Sequence, residues 1–171
     1  DAVKALRKNA ESGKFRLEAE LQDPAKVVED CAGGHQVRAS QRGIQLSFAL
    51  PKALPKIFAD KRRLTQVLGN LLENALRHTG KGGTVSVTAE KDGAGVRFAV
   101  RDTGEGIDAG EIQKIFESFY QPTSSHAARG RLGLGLSISK EIVHSHGGRI
   151  WVESEGKGKG AVFLFTIPSK K

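Results

Sequence analysis

A single cysteine, Cys31, excludes any disulfide within the chain and points to a reducing compartment. It falls in an expected helix, where a small buried hydrophobe is the ordinary role. Aromatic residues make up only 6% of the sequence, too few for a surface that stacks nucleic-acid bases. No apolar run reaches the length that spans a bilayer, and the start, with Asp1 and Lys4, has no signal-peptide pattern. Gly-Lys occurs four times, but Ser or Thr never follows it, which excludes a P-loop. One cysteine and scattered histidines leave no zinc-type ligand spacing. No Gly-x-Ser-x-Gly elbow marks a hydrolase. His144 and His146, two apart on a helix, do not share a face, so surface or core roles are expected for both.

The 171 residues suffice for one well-cored domain. The net charge of +8 raises an anionic partner. Its basic residues are dispersed, however, with runs only at Lys61-Arg62-Arg63 and Lys170-Lys171. That pattern suits solubility and a general attraction for an anionic ligand rather than nucleic acid.

Periodicity sets out the elements. Residues 1–12 read as the end of a helix stopped by Gly13, too short to be stable alone; we read residues 1–13 as the end of a preceding helix or linker, and 14–171 as the domain. Phe15, Leu17 and Ala19 alternate with charged residues as a strand. Pro24 opens a helix that includes Val27, Val28, Cys31 and Val37, weakened at Gly33-Gly34 and ended by Gly43. Strands are expected at 44–48 and 57–59, a hairpin at 85–90 and 96–101, and a closing hairpin at 149–153 and 161–167. Residues 108–116 read as mostly helical, and 135–146 as a helix ended by Gly147-Gly148. Residues 120–132 form a long polar connection of the kind that serves as a functional lid or is disordered. Helices and strands mix without strict alternation, which favours a two-layer α/β sandwich with a mixed five-stranded sheet and three main helices.

The chain is organised around residues 66–79. Leu64, Leu68, Leu71, Leu72 and Ala75 make an apolar stripe at helical spacing. Asn70, Asn74, Arg77 and His78 gather on the other side. Asn is a mediocre helix former, so two of them a turn apart on a Leu-rich helix call for a reason. One reading is simply the solvated face of an amphipathic helix. The other is a site for magnesium and phosphate, since an amide oxygen is a hard ligand suited to Mg²⁺.

Two glycine clusters bear on this choice. Asp102-Thr103-Gly104-Glu105-Gly106-Ile107 follows a strand but lacks the βαβ context of a dinucleotide fingerprint. A pocketed carboxylate at that strand end can accept from an exocyclic amino group such as that of adenine, while glycines let the backbone approach a ring. A tight turn with a solvated Asp is the plainer alternative. Gly130-Arg131-Leu132-Gly133-Leu134-Gly135-Leu136 precedes a helix and offers free N–H groups to an anion; its leucines argue against a flexible linker.

Together these segments resemble, in the family's order, the boxes of the catalytic ATP-binding domain of bacterial sensor histidine kinases. The asparagine box is similar to 66–79, and the first glycine box to Asp102-Thr103-Gly104-Glu105-Gly106-Ile107. Ile115-Phe116-Glu117-Ser118-Phe119-Tyr120 resembles the phenylalanine box. Gly133-Leu134-Gly135-Leu136-Ser137-Ile138 resembles the second glycine box. The resemblance implies the Bergerat ATP-binding fold shared with gyrase and the heat-shock chaperone, with ATP and Mg²⁺ as cofactors. It assigns Asn74 to Mg²⁺, with Asn70, Arg77 and His78 toward the phosphates and ribose. Asp102 would take the adenine amino group, Gly104, Gly106 and Ile107 the base pocket. Phe116, Phe119 and Tyr120 would anchor the lid, and Gly133, Leu134, Gly135 and Leu136 would hinge it and cradle phosphates.

Relatives that hydrolyse ATP carry a water-activating Glu where this chain has Asn70, so the resemblance implies a phosphotransferase. Gln121 stands where the family usually places an Arg that reaches the γ-phosphate, and Arg129 or Arg131 are the candidates to replace it. None of His35, His78, His126, His144 or His146 has the context of the family's phosphoacceptor. The acceptor histidine is therefore expected on a separate dimerisation domain of a homodimeric parent kinase, this piece being monomeric. A response regulator is the expected onward partner. The resemblance implies a cytoplasmic domain, whether or not the inner membrane anchors its parent. A nucleotide sensor with little transfer activity and an autonomous ATPase of the same fold are the alternatives.

Overall fold

The computed structural model describes residues 17–93, 95–117 and 135–169. The expected stub at 1–13 therefore lies outside the described residues, as does Phe15. The elements in order are β1 (Glu20–Gln22), α1 (Pro24–Gly33), α2 (Gln36–Gln41), β2 (Gln45–Ala49), β3 (Ile57–Ala59), α3 (Lys61–His78), β4 (Thr84–Asp92), β5 (Gly95–Asp102), α4 (Gly135–Ser145), β6 (Ile150–Glu153) and β7 (Ala161–Ile167).

Five strands form one sheet in the order β2-β4-β5-β7-β6. β2 runs parallel to β4, and every other pair is antiparallel, so the sheet is mixed as expected. Alternation decides which face is covered. Val85, Val87 and Ala89 of β4, Val96, Phe98 and Val100 of β5, and Phe163, Phe165 and Ile167 of β7 all point into the core. Phe98 and Phe165 stack across the strand pair with ring centroids 4.7 Å apart.

α3 lies on that face. Leu64, Leu68, Leu71, Leu72 and Ala75 are buried, joined by Val67 and Leu76, and each fully buried Leu contributes roughly 1.5–3 kcal/mol. Asp60 caps the helix through Oδ1, which accepts from Arg63 N–H at 3.2 Å. α4 runs antiparallel beside α3. Asp60 at the start of α3 meets His146 just past the end of α4, while Asn70 midway along α3 meets Gly135 at the start of α4.

Three expectations need correction. Among the described residues the first strand is Glu20–Gln22 and residues 17–19 stand outside it, because the antiparallel partner β3 is only three residues long and ends at the α3 cap. The Glu18 N–H turns instead to Asp60 Oδ2 at 3.0 Å. The helix opened by Pro24 does more than bend or fray at Gly33-Gly34, the outcome its glycines lead us to expect: it is two helices, and Val37, expected in the first, lies in the second and is 69% exposed. Residues 108–116 are not a helix. Glu111, Lys114 and Glu117 donate to the carbonyls three residues before them, giving a run of turns that lays Ile112, Ile115 and Phe116 against the core.

Cys31 is buried on α1, and burial pushes its thiol up to about 11. Thiolate is the reactive form, so alkylation of the folded chain at pH 8 is expected to be on the order of a hundredfold slower than after unfolding. A thiol-reagent time course with and without denaturant checks this; equal rates would contradict the packing of α1.

Candidate functional site

The polar side of α3 is not a solvated face. Asn74 is only 6% exposed, and among the described residues nothing is hydrogen-bonded to its carboxamide. Asn70, a turn earlier, donates from Nδ2 to Gly135 O and to Ser139 Oγ, both at 3.3 Å. It thus ties α3 to the first turn of α4. Arg77 is half-buried a turn further on.

His78, the last residue of α3, turns to the glycine segment that follows β5. Its Nδ1 pairs with the Glu105 carboxylate, and its carbonyl accepts from Glu105 N–H at 3.1 Å. Gly104 sits so close that a Cβ there would overlap the His78 carbonyl. Only a residue without a side chain lets the segment reach the end of α3. Gly106 is glycine for two reasons: its φ is +72°, and a Cβ would overlap the Gly156 carbonyl.

Asp102 closes β5 and is 5% exposed. Burial raises its carboxyl above the usual carboxylate range. The Gly104 N–H, donated to Oδ1 at 2.9 Å, and the charge of nearby His78 oppose that rise. The Ala161 N–H also bonds the carboxyl, and two oxygens with four lone pairs leave room to accept from an amino group brought into the site.

Sequence reasoning placed the turn between β6 and β7 but missed its part in the site. Gly158 N–H donates to Glu105 O at 2.7 Å, and Gly160 N–H to Gly104 O at 3.2 Å. Ser154 is the centre of this contact. Its Oγ accepts from Ile107 N–H at 3.1 Å and Gly156 N–H at 3.2 Å, and donates to Gly160 O at 2.7 Å. One hydroxyl thereby uses its donor and both acceptor sites. The signal available was the alternation Gly156, Gly158, Gly160, a turn built to lie flat against another backbone.

Of the remaining expected residues, Ile107 packs against the core, and Phe116 meets Phe163 edge to face at 6.1 Å. Gly135 and Leu136 begin α4, with Leu136 against the core. Phe119, Tyr120, Gln121, Arg129, Arg131, Gly133 and Leu134 lie outside the described residues.

A mixed sheet with a buried carboxylate closing an inner strand, beside a helix carrying a buried asparagine, fits a nucleotide-binding α/β sandwich. The family described as histidine kinase-, DNA gyrase B- and HSP90-like ATPase matches residues 59–171. The chain belongs to this family and is an ATP-binding domain of the kind that histidine kinases carry. It is 46% identical over 129 residues to the adaptive-response sensory kinase SasA of Parasynechococcus marenigrum (strain WH8102), covering 74% of this chain and 33% of SasA. It thus spans about a third of the length of such curated relatives. The nucleotide-free catalytic domain of histidine kinase ThkA superposes with a TM-score of 0.80 at 30% identity, covering 90% of this chain and 97% of that one. Full-length ShkA in complex with AMPPNP superposes at 0.79 with 36% identity, covering 90% of this chain and 31% of that one. Among the described residues no helix is long and apolar enough to cross a membrane.

Proposed function

We propose that the chain is the catalytic ATP-binding domain of a sensor histidine kinase, and that it presents the γ-phosphoryl group of ATP to a histidine on a separate dimerisation domain. The observation that carries this reading is a pair of buried polar groups on contacting elements: Asp102 at the end of β5 and Asn74 on α3. They are held in register by the link between His78 and Glu105.

Asp102 accepts from the amino group of adenine, and the backbone around Gly104 and Gly106 lies against the ring. The amide oxygen of the buried Asn74 is a hard ligand that fits a divalent cation, so Asn74 is the residue that would hold Mg²⁺. That ion supplies neutralisation of the phosphate charge. Asn70 commits its amide to α4 and has no carboxylate with which to take a proton from water. Phosphoryl transfer rests mainly on positioning and charge neutralisation, so a site without a base suits delivery to a protein histidine better than hydrolysis. Gln121, Arg129 and Arg131 remain our candidates for contact with the γ-phosphate. The parent is read as a homodimer that passes the group on to a response regulator, with this domain cytoplasmic and monomeric by itself.

Two measurements test the reading. Titration with AMPPNP and Mg²⁺ should give saturable binding that guanine nucleotides do not match. Adding a dimerisation domain that bears a histidine, together with labelled ATP, should give an acid-labile, alkali-stable label on that domain. Steady phosphate release from the chain alone, with no histidine labelling, would instead make it an autonomous ATPase.

A further inference from the structure

Asp60 and His146 lie away from the nucleotide-facing residues, yet each is only 8% exposed. Their bonds interlock. His146 Nδ1 lies 2.8 Å from Ile142 O, an acceptor, so this nitrogen carries the proton. Nε2 therefore accepts, and it takes the Asp60 backbone N–H at 3.0 Å. The two oxygens of Asp60 hold the N–H groups of Arg63 and Glu18. One residue thus joins the cap of α3, the approach to β1 and the end of α4.

The far end of α4 is where the site begins. Gly135 O and Ser139 Oγ accept from Asn70, each at 3.3 Å. Between the two ends, α4 packs through Ile142 and Val143. Apolar packing resists separation of two helices but is non-directional. Hydrogen bonds at the ends are what fix one helix along the other. A helix of 11 residues is a rod of about 16 Å, so a slip at His146 is carried to Gly135.

We propose that His146 is a positioning residue for the nucleotide site: its bond to Asp60 N–H sets the seat of α4 on α3, and with it the placement of Gly135 against Asn70. This rests on the proposed function above, in which Asp102 serves the base, and on the family resemblance by which Asn70 and the start of α4 face the phosphates. The consequence is selective. Loss of the bond disturbs the phosphate end of the site and leaves the adenine end, built from β5, α3 and the β6–β7 turn, in place.

His146→Gln, His146→Asn and His146→Phe separate this from a general loss of stability. The Gln carboxamide reaches the position of Nε2 and can accept from Asp60 N–H. Asn reaches only the position of Nδ1, and Phe keeps the ring while losing both bonds. Affinities for AMPPNP with Mg²⁺ and for adenosine are measured by calorimetry and NMR titration at a temperature where each variant is folded by circular dichroism. The Asn and Phe variants should bind AMPPNP about tenfold more weakly, with adenosine affinity changed by less than about twofold. Gln should restore AMPPNP binding to within about threefold of wild type. Asn and Phe lose the bond by different routes, so either one, if folded, suffices. AMPPNP and adenosine weakened in equal proportion, or AMPPNP binding unchanged in Asn and Phe, would overturn the proposal while leaving the site reading intact. Failure of the wild-type chain to bind AMPPNP would overturn the site reading itself, and this proposal with it.

Discussion

Asp102→Ala is expected to weaken ATP binding by roughly ten- to a hundredfold, because a hydrogen bond to a charged group contributes about 1.5–3 kcal/mol. The carboxyl is 5% exposed at the end of β5, so water does not replace it as an acceptor. Asp102→Asn is the more informative variant. Its side-chain oxygen can still accept from Gly104 N–H, so the turn is kept. Its amide then meets the adenine amino group with a donor, and affinity falls nearly as far as with Ala. Stability moves the other way. Burial raises the pKa of the Asp102 carboxyl, so the ionised form is less favourable in the nucleotide-free fold than in the unfolded chain. Removing that charge should raise the unfolding midpoint while binding is lost, the sign of a residue kept for function. A variant with binding equal to wild type would remove Asp102 from the adenine role.

The same group sets a pH dependence. Its folded carboxyl titrates above its unfolded one, so its contribution to stability without nucleotide is full below the unfolded pKa and is lost as pH rises through the folded pKa. Nucleotide reverses the preference, because an amino donor favours the ionised acceptor. Affinity for ATP should therefore fall as pH drops through the raised carboxyl range, and Asp102→Asn should remove this component of the profile.

Local chemistry carried most of the fold. The apolar stripe of α3, the hairpin of β4 and β5, and the Asp60 cap are each decided by neighbours within a few residues. What local pattern could not settle depended on a partner distant in sequence. Alternation at 15–19 suggests a strand, but the ladder forms only where β3 lies opposite, at Glu20–Gln22. The segment 108–116 has helical apolar spacing, yet its carbonyls are taken three residues on, so it packs without becoming a helix. The candidate site divides in the same way. Asn74, Asp102, Gly104 and Gly106 stand out because residue type and position within an element imply chemistry. Ser154 and His146 do not, since a lone serine or histidine has no spacing to read. Their roles arise only when the backbone N–H groups of Ile107 and Asp60, 47 and 86 residues away, fold back onto them.

Asn74→Leu should abolish the effect of Mg²⁺ on nucleotide binding, and should do so in a protein at least as stable as the wild type. The two expectations come from one fact. Asn74 is only 6% exposed and its carboxamide makes no hydrogen bond among the described residues, so in the nucleotide-free fold it adds little to stability. Leu has nearly the same volume and no polar group to strand, on a helix whose neighbours Leu71, Leu72 and Ala75 are already apolar. The unfolding midpoint should hold or rise. In the kinase reading, the same change removes the one protein oxygen assigned to the cation. Affinity for AMPPNP should then become insensitive to Mg²⁺, and phosphoryl transfer to a supplied histidine domain should fall by at least about a hundredfold. Asn74→Asp separates the role of the oxygen from that of the shape. It keeps a hard ligand, so Mg²⁺ sensitivity survives, while a buried carboxylate lowers stability when the cation is absent. Adenosine, which has no phosphate, should bind all three proteins alike. If Asn74→Leu still showed a full response to Mg²⁺, the cation would have to be held elsewhere, and α3 would carry its asparagine for some other reason.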